Sequence, residues 1–364
     1  MDDVYKPIWK APDGDALYIV FSGGLRAVKA GGDSWIFQPV LFHGEPCLSR
    51  PIPKRKLMNL TSKEGYLPIA FQDISWSNGS YYSSWKPIVD GRVENWQTPA
   101  SLWANISRNF RKSSAERSGQ IAPETFEDYV KAADAPDSIA DAAQAISLSI
   151  ANADSALSHI CDFYHDQLVE IMRTNMRPGM LHGKPSDNVL YASVHSFFVH
   201  VGSARDHLAT FIAREMNISN EVDDLNKLKN KIKIDDLESN RLLSLLKARD
   251  CLRVQSDSSQ IIVSGWLKEF NALRRRFVHG TPYGSFFLES VGSVKTVNQG
   301  EGRFKYHRNI KIGDTSDYDL LDILVYHYRN FAKLFLELAQ ESGKDTSMLT
   351  LTDEDILSVS REKN

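Results

Sequence analysis

Hydrophobic and polar positions change rhythm about a third of the way along the chain. Through roughly the first hundred residues, short aromatic and β-branched runs are separated by Gly, Pro and Asn, which is the pattern of short strands joined by turns. It predicts strands over Asp15–Phe21, Leu25–Ala30, Ser34–Phe42 and Leu67–Trp76, with turns at Gly31-Gly32 and Asn78-Gly79. Six of the seven Trp residues (Trp9, Trp35, Trp76, Trp85, Trp96, Trp103) lie in this stretch. Tyr81, Tyr82 and Trp85 beside the second turn read as β-domain core and hairpin packing, with a stacking platform for a base or sugar as the alternative.

The period then lengthens. Ser107–Pro123 is polar without an apolar repeat and reads as a linker. After it come a helical stretch over Glu124–Ala145, interrupted near Pro136, and long helices over Leu148–Asn175 and Asp187–Met216. The second of these carries Leu190, Val194, Phe197, Val201, Leu208, Phe211 and Ile212 on its inner face. Asn217–Asn240 alternates acids and bases in blocks and reads as a solvated helix or connector, with a phosphate-binding patch as the alternative. Over Gln260–Val278 a stripe of Val263, Trp266, Phe270, Leu273 and Phe277 predicts an amphipathic helix stopped by Gly280 and Pro282. Ser285–Ile312 reads as a hairpin excursion and Asp317–Glu341 as the last strong helix. The expected class is α+β: a mainly-β domain over residues 1–106, a linker over 107–123, an all-α bundle with a β-hairpin insertion over 124–342, and a loosely held tail over 343–364.

Composition narrows the chemistry. With 364 residues, 42% hydrophobic and 24% charged, the chain is an ordinary globular protein long enough for two domains. Its net charge of −3 gives no overall field that would hold a polyanion, so any nucleic-acid site must be local. Cys47, Cys161 and Cys251 show no paired spacing, which points to a reducing compartment and to neither a zinc site nor a disulfide framework. The N-terminus lacks signal-peptide grammar and no apolar run approaches the roughly 20 residues that span a bilayer, so a cytoplasmic location without membrane contact is expected. Phosphate-cradling Gly-rich loops, His-Glu-x-x-His, Cys-x-x-Cys and Gly-x-Ser-x-Gly are all absent.

One segment stands out: Leu273-Arg274-Arg275-Arg276-Phe277-Val278-His279-Gly280, at the end of an amphipathic helix. It resembles the motif of the HEPN superfamily, whose nucleases carry Arg, four to six residues, then His, often with a polar residue directly after the Arg. Arg274 takes the Arg position, Arg275 the polar position and His279 the His position. Asn, Asp or His is more usual where Arg275 stands, and where some members have a Tyr two residues past the His, Thr281 stands here. With its helical surroundings the resemblance covers roughly residues 125 to 342. It implies a HEPN-like bundle that pairs as a homodimer, acting on RNA as an endoribonuclease of toxin or antiviral-defence type, with an antitoxin or trigger protein as a further partner. No metal or cofactor is implied, and the products would be 2′,3′-cyclic phosphate and 5′-OH ends. The alternative is a nonenzymatic module that binds a nucleotide, RNA or protein.

Physical chemistry makes the same residues candidates. Cutting RNA by 2′-OH attack needs proton transfer and positive charge on the scissile phosphate. Imidazole is suited to the first near neutral pH and a guanidinium to the second. His279 and Arg274 are therefore the candidate catalytic pair, with Arg275, Arg276 and Asp206 as supporting or RNA-binding residues. On a straight α-helix Arg274 and His279 would stand roughly 140° apart. Either two copies of the motif meet across a dimer axis, or the helix distorts just before Gly280. Arg274 also flanks the apolar stripe and calls for an acidic partner such as Asp206. In the structural alternative Arg274 simply pairs with such an acid, and Arg275, Arg276 and His279 merely favour a helix C-terminus. Arg205, Asp206 and His207 read mainly as a structural network, and His195 and His200 as core or interface histidines.

Overall fold

The computed structural model describes residues 15–42, 44–77, 80–89, 97–117, 137–174, 177–184, 187–218, 221–298 and 302–348. The chain mixes helices with antiparallel sheets and forms two compact units, each drawn from three stretches of sequence. The first takes its described residues from 1–96, 152–199 and 272–332, and the second from 97–151, 200–271 and 333–364. The sequential division expected near residues 107–123 does not coincide with these units, because long helices contribute residues to both.

In the first unit, β1 (Ala16–Phe21), β2 (Arg26–Gly31), β3 (Ser34–Gln38), β6 (Ile52–Pro53), β7 (Pro68–Ser77) and β8 (Ser80–Pro87) form an antiparallel sheet in the order β6-β3-β2-β1-β7-β8. Its register places Phe71, Ile19, Ala27 and Phe37 in one row across four strands. All four are buried, so the period-two alternation becomes one face of a core that also holds Trp35, Leu57 and Tyr66. The strand expected over Ser34–Phe42 is divided at Pro39, which has no N–H for the ladder. Its second part, β4 (Val40–Phe42), pairs instead with β5 (Glu45–Cys47). The Asn78-Gly79 turn lies outside the described residues.

Between β6 and β7 the chain forms helix α1 (Lys54–Lys63), where the apolar pattern predicted no element. Leu57 and Thr61, four apart, turn inward, and the Thr61 hydroxyl bonds back to the Leu57 and Met58 carbonyls. Gly65, at φ 70°, ends the helix. A second sheet of β11 (Gly292–Asn298), β12 (Arg303–Ile312) and β13 (Thr315–Asp319) fulfils the expected excursion with one strand more than a hairpin. Gly302 enters β12 at φ 63°, where a β-carbon would lie 2.1 Å from the Leu41 carbonyl oxygen, so the close approach of β4 requires glycine.

The remaining helices are α2 (Pro99–Arg117), α3 (Ser138–Arg173), α4 (Asp187–Glu215), α5 (Leu225–Lys231), α6 (Asp236–Ser239), α7 (Arg241–Ala248), α8 (Gly265–Arg274), α9 (Phe287–Ser290) and α10 (Leu320–Glu341). Three expectations need correction, all within the second unit. Ser107–Arg117, read as linker, continues α2. Its inner face is partly polar: Ser107 donates to the Ala140 carbonyl, Asn105 to Thr346, and Asn109 to Asp345 and Ser347. Hydrogen-bonding residues carry the helical period that apolar residues were expected to carry. Those same amides hold Asp345–Ser347, the described start of the tail that was expected to be loose. Ile261–Val263 is strand β10, paired with β9 (Leu252–Val254), so Val263 belongs to a ladder and the helical stripe starts only after Gly265 at φ 52°. Residues 118–136 and 349–364 lie outside the described residues. Among the described residues, no helix is long and apolar enough to cross a membrane, and Cys47, Cys161 and Cys251 are buried free thiols.

Candidate active site

The helix does distort just before Gly280. α8 is regular through Arg274, and Arg275–His279 then form a π-turn. Hydrogen bonds in such a turn run from i to i+5 in place of i to i+4, so each residue advances less around the axis. Residues five apart, which diverge on an α-helix, are brought toward one face. Arg274 and His279 have that separation. Gly280 closes the turn by donating to the Arg276 carbonyl at 3.0 Å, and a β-carbon there would lie 3.1 Å from that same oxygen.

The motif residues differ sharply in environment. Phe277 is buried against Phe198 and Tyr283, at ring separations of 5.1 and 6.0 Å, and anchors the turn. Arg275 and His279 are exposed. Arg274 is half-buried, and its Nε is fully enclosed with no hydrogen-bond partner. An enclosed guanidinium N–H without an acceptor is costly and uncommon. Asp206, proposed as its partner, lies in the second unit and accepts from Arg205 Nε and Nη2 at 2.9 and 2.6 Å.

Arg276 is committed elsewhere. Its guanidinium forms an ion pair with Glu289 at 2.5 Å, donates to the Lys311 carbonyl, and lies over the Phe277 and Phe286 rings. Glu289 is 1% exposed and also accepts from the backbone N–H groups of Lys311 and Gly284. One carboxylate thus ties the π-turn, the loop after it and β12 together. Tyr283, in that loop, is buried, its hydroxyl donates to the Asn309 carbonyl, and burial pushes its pKa well above the usual phenol value. His195 Nδ1 lies 3.4 Å from the Phe277 carbonyl oxygen.

Behind this loop is a buried polar cluster that sequence reasoning did not identify. Arg308, with no exposed surface, forms an ion pair with Asp187 at 2.5 Å and donates to the Tyr306 hydroxyl and the Glu289 carbonyl. His307 pairs with Asp319 at 2.9 Å. Along β12 these residues read as ordinary strand charges, and Asp187, the carboxylate that Arg308 meets, lies far away in sequence. Only the inverted pattern, charges where a strand buries its side chains, was available as a signal. In the β-rich part, Trp85 Nε1 donates to the Tyr328 hydroxyl, which donates to Asp154. Burial raises the Asp154 carboxyl to about 7 against the bond from Tyr328.

No protein-family model, curated protein or solved structure matches this chain.

Proposed function

We propose that the chain is an endoribonuclease whose chemistry resides in the Arg274–His279 turn, with RNA as substrate. The observation that carries this reading is the π-turn, which moves two residues five apart toward one face and leaves the Arg274 Nε enclosed without an acceptor. π-turns recur at functional positions because they cost hydrogen-bond geometry. An enclosed cation that the protein leaves unmatched suits an anion that arrives from outside.

In the proposed reaction the ribose 2′-oxygen attacks the adjacent phosphorus. The O2′–P bond forms and the P–O5′ bond breaks, leaving a 2′,3′-cyclic phosphate and a 5′-OH. One proton leaves the 2′-OH and one reaches the 5′-oxygen, and His279 carries one of these transfers. Arg274 stabilises the charge that gathers on the phosphoryl oxygens. Arg275, exposed beside it, binds the strand, while Arg276 fixes the turn through Glu289 and does not meet the phosphate. A dimer through the helical segments, and an antitoxin or trigger protein, complete the reading.

The test compares wild type, Arg274→Ala and His279→Ala on cellular RNA in the presence of EDTA, with end-group analysis of the fragments. The expected result is cyclic-phosphate ends from the wild type and a loss of about a hundredfold or more in either variant. Equal cleavage by all three proteins, or loss of wild-type activity with the chelator, would overturn it.

A further inference from the structure

Helix α1 carries a second, unassigned site. It lies in the only stretch of the first sheet's connections where bases run without acids: between Glu45 and Glu64 the chain has Arg50, Lys54, Arg55, Lys56 and Lys63 and no Asp or Glu. Helical spacing places Lys56, Asn59, Leu60 and Lys63 along one side over about 10 Å, with Arg55 beside them. Pro53, Arg55, Lys56, Asn59, Leu60 and Lys63 line an open groove of about 460 Å³.

These cations are also unmatched. Elsewhere in the same unit Arg26 pairs with Asp162, Lys86 with Asp73, Lys184 with Glu170 and Arg303 with Glu64. Among the described residues no ion pair engages Arg55, Lys56 or Lys63. A chain with net charge −3 that gathers bases without paired acids along one helix carries a locally positive patch.

We propose that the α1 groove binds a single polynucleotide strand through its phosphates. Three side chains bring charge to successive phosphates, Asn59 offers both a donor and an acceptor to a sugar or base edge, and Pro53 with Leu60 gives an apolar wall for a ribose or base. An anionic membrane is a poorer fit, since α1 presents none of the exposed large hydrophobic side chains that would insert. An acidic protein surface is too broad to be selected by so small a groove. The site stands on α1 alone and does not depend on the Arg274–His279 reading.

Fluorescence anisotropy with the full chain tests it, using labelled 12-mer oligouridylate and oligodeoxythymidylate, with polyglutamate and phosphatidylserine vesicles as rival ligands. The wild type should bind at least one of the two oligonucleotides with a log affinity that falls against log salt with a slope of roughly −2, as three contacts on a single strand require. Lys56→Glu/Lys63→Glu should weaken binding about tenfold or more at low salt and flatten that slope. Lys268→Glu, a charge reversal at an exposed position of the amphipathic α8, should leave both unchanged, with thermal unfolding confirming that each variant is folded. Preference for the ribose or the deoxyribose strand identifies the natural source. The proposal falls if the α1 variant binds like wild type, if Lys268→Glu weakens binding equally, or if polyglutamate or vesicles bind more tightly than both oligonucleotides. Loss of cleavage in His279→Ala with oligonucleotide affinity intact would uphold both sites. Unchanged cleavage in that variant would remove only the nuclease reading.

Discussion

Two groups of cations in the first unit are treated in opposite ways. Around β12, Arg308, Arg276 and Arg303 are each paired with a carboxylate, from Asp187, Glu289 and Glu64 respectively. At the π-turn and on α1, Arg274 Nε is enclosed with nothing, and Arg55, Lys56 and Lys63 face an open groove. The first group has its counter-charge built in, so it can only hold shape. The second group lacks one among the described residues, and both proposals rest on that difference. A buried ion pair contributes little net stability compared with apolar packing, yet losing one member leaves a charge stranded.

The largest effect should come from breaking a matched pair. Arg308→Ala strands Asp187 in a site 3% exposed and should cost about 3 to 5 kcal/mol by urea unfolding. Replacing both partners with apolar residues, Arg308→Met/Asp187→Leu, should recover much of it. If the single change costs under about 1 kcal/mol, the pair is not structural and the contrast fails. Next, Glu289→Ala should lower stability by roughly 2 kcal/mol, because it frees Arg276 and two backbone N–H groups at once. It should also lower cleavage, since the π-turn loses its tie to β12. Arg274→Met should sharpen the comparison in the other direction. With no partner to strand and similar volume, it should leave stability within about 1 kcal/mol of wild type while abolishing cleavage.

The smallest effect concerns protons. Burial lowers His165 to about 3 and His327 to about 4. As pH falls below the ordinary histidine value of about 6.5, the unfolded chain binds protons that these folded imidazoles refuse, so stability falls through that window. Asp154 acts in reverse. With its folded value near 7, the native state holds a proton that the unfolded chain has released above about 4, so stability falls as pH rises from there to 7. The two trends partly cancel. Asp154→Asn should therefore make the acid-side loss of thermal stability steeper, and an unchanged slope would mean that Asp154 is ionised in the fold.

Much of the fold was legible because burial and local period agree. The strand expected from Asp15 is β1, beginning at Ala16, and the helix expected over Asp187–Met216 ends at Glu215. Legibility failed where polar residues did the packing. Asn105, Ser107 and Asn109 point inward on α2, yet their composition is that of a linker. It failed again where a backbone break mattered more than a stripe, as at Gly265. In the candidate site, the Arg274-to-His279 segment was legible because its residues are local, and angular arithmetic left a distortion before Gly280 as one of two ways to join them, the other being a dimer cleft. Glu289, Asp187 and Arg308 were not, because neither the distant pairing of Asp187 with Arg308 nor the pairing of Glu289 with Arg276 follows a helical or strand period.

The way the units are threaded has a consequence for synthesis. The first unit is completed only by residues 272–332, and that same stretch carries Arg274, His279, Glu289 and β12. The first unit is not complete until residues 272–332 have been made, so its folding waits on a stretch far downstream of the first sheet. A product truncated before residue 272 has neither the turn that would do chemistry nor the strands that would brace it. Interleaving thus makes the fold of the first unit depend on the last of its three stretches.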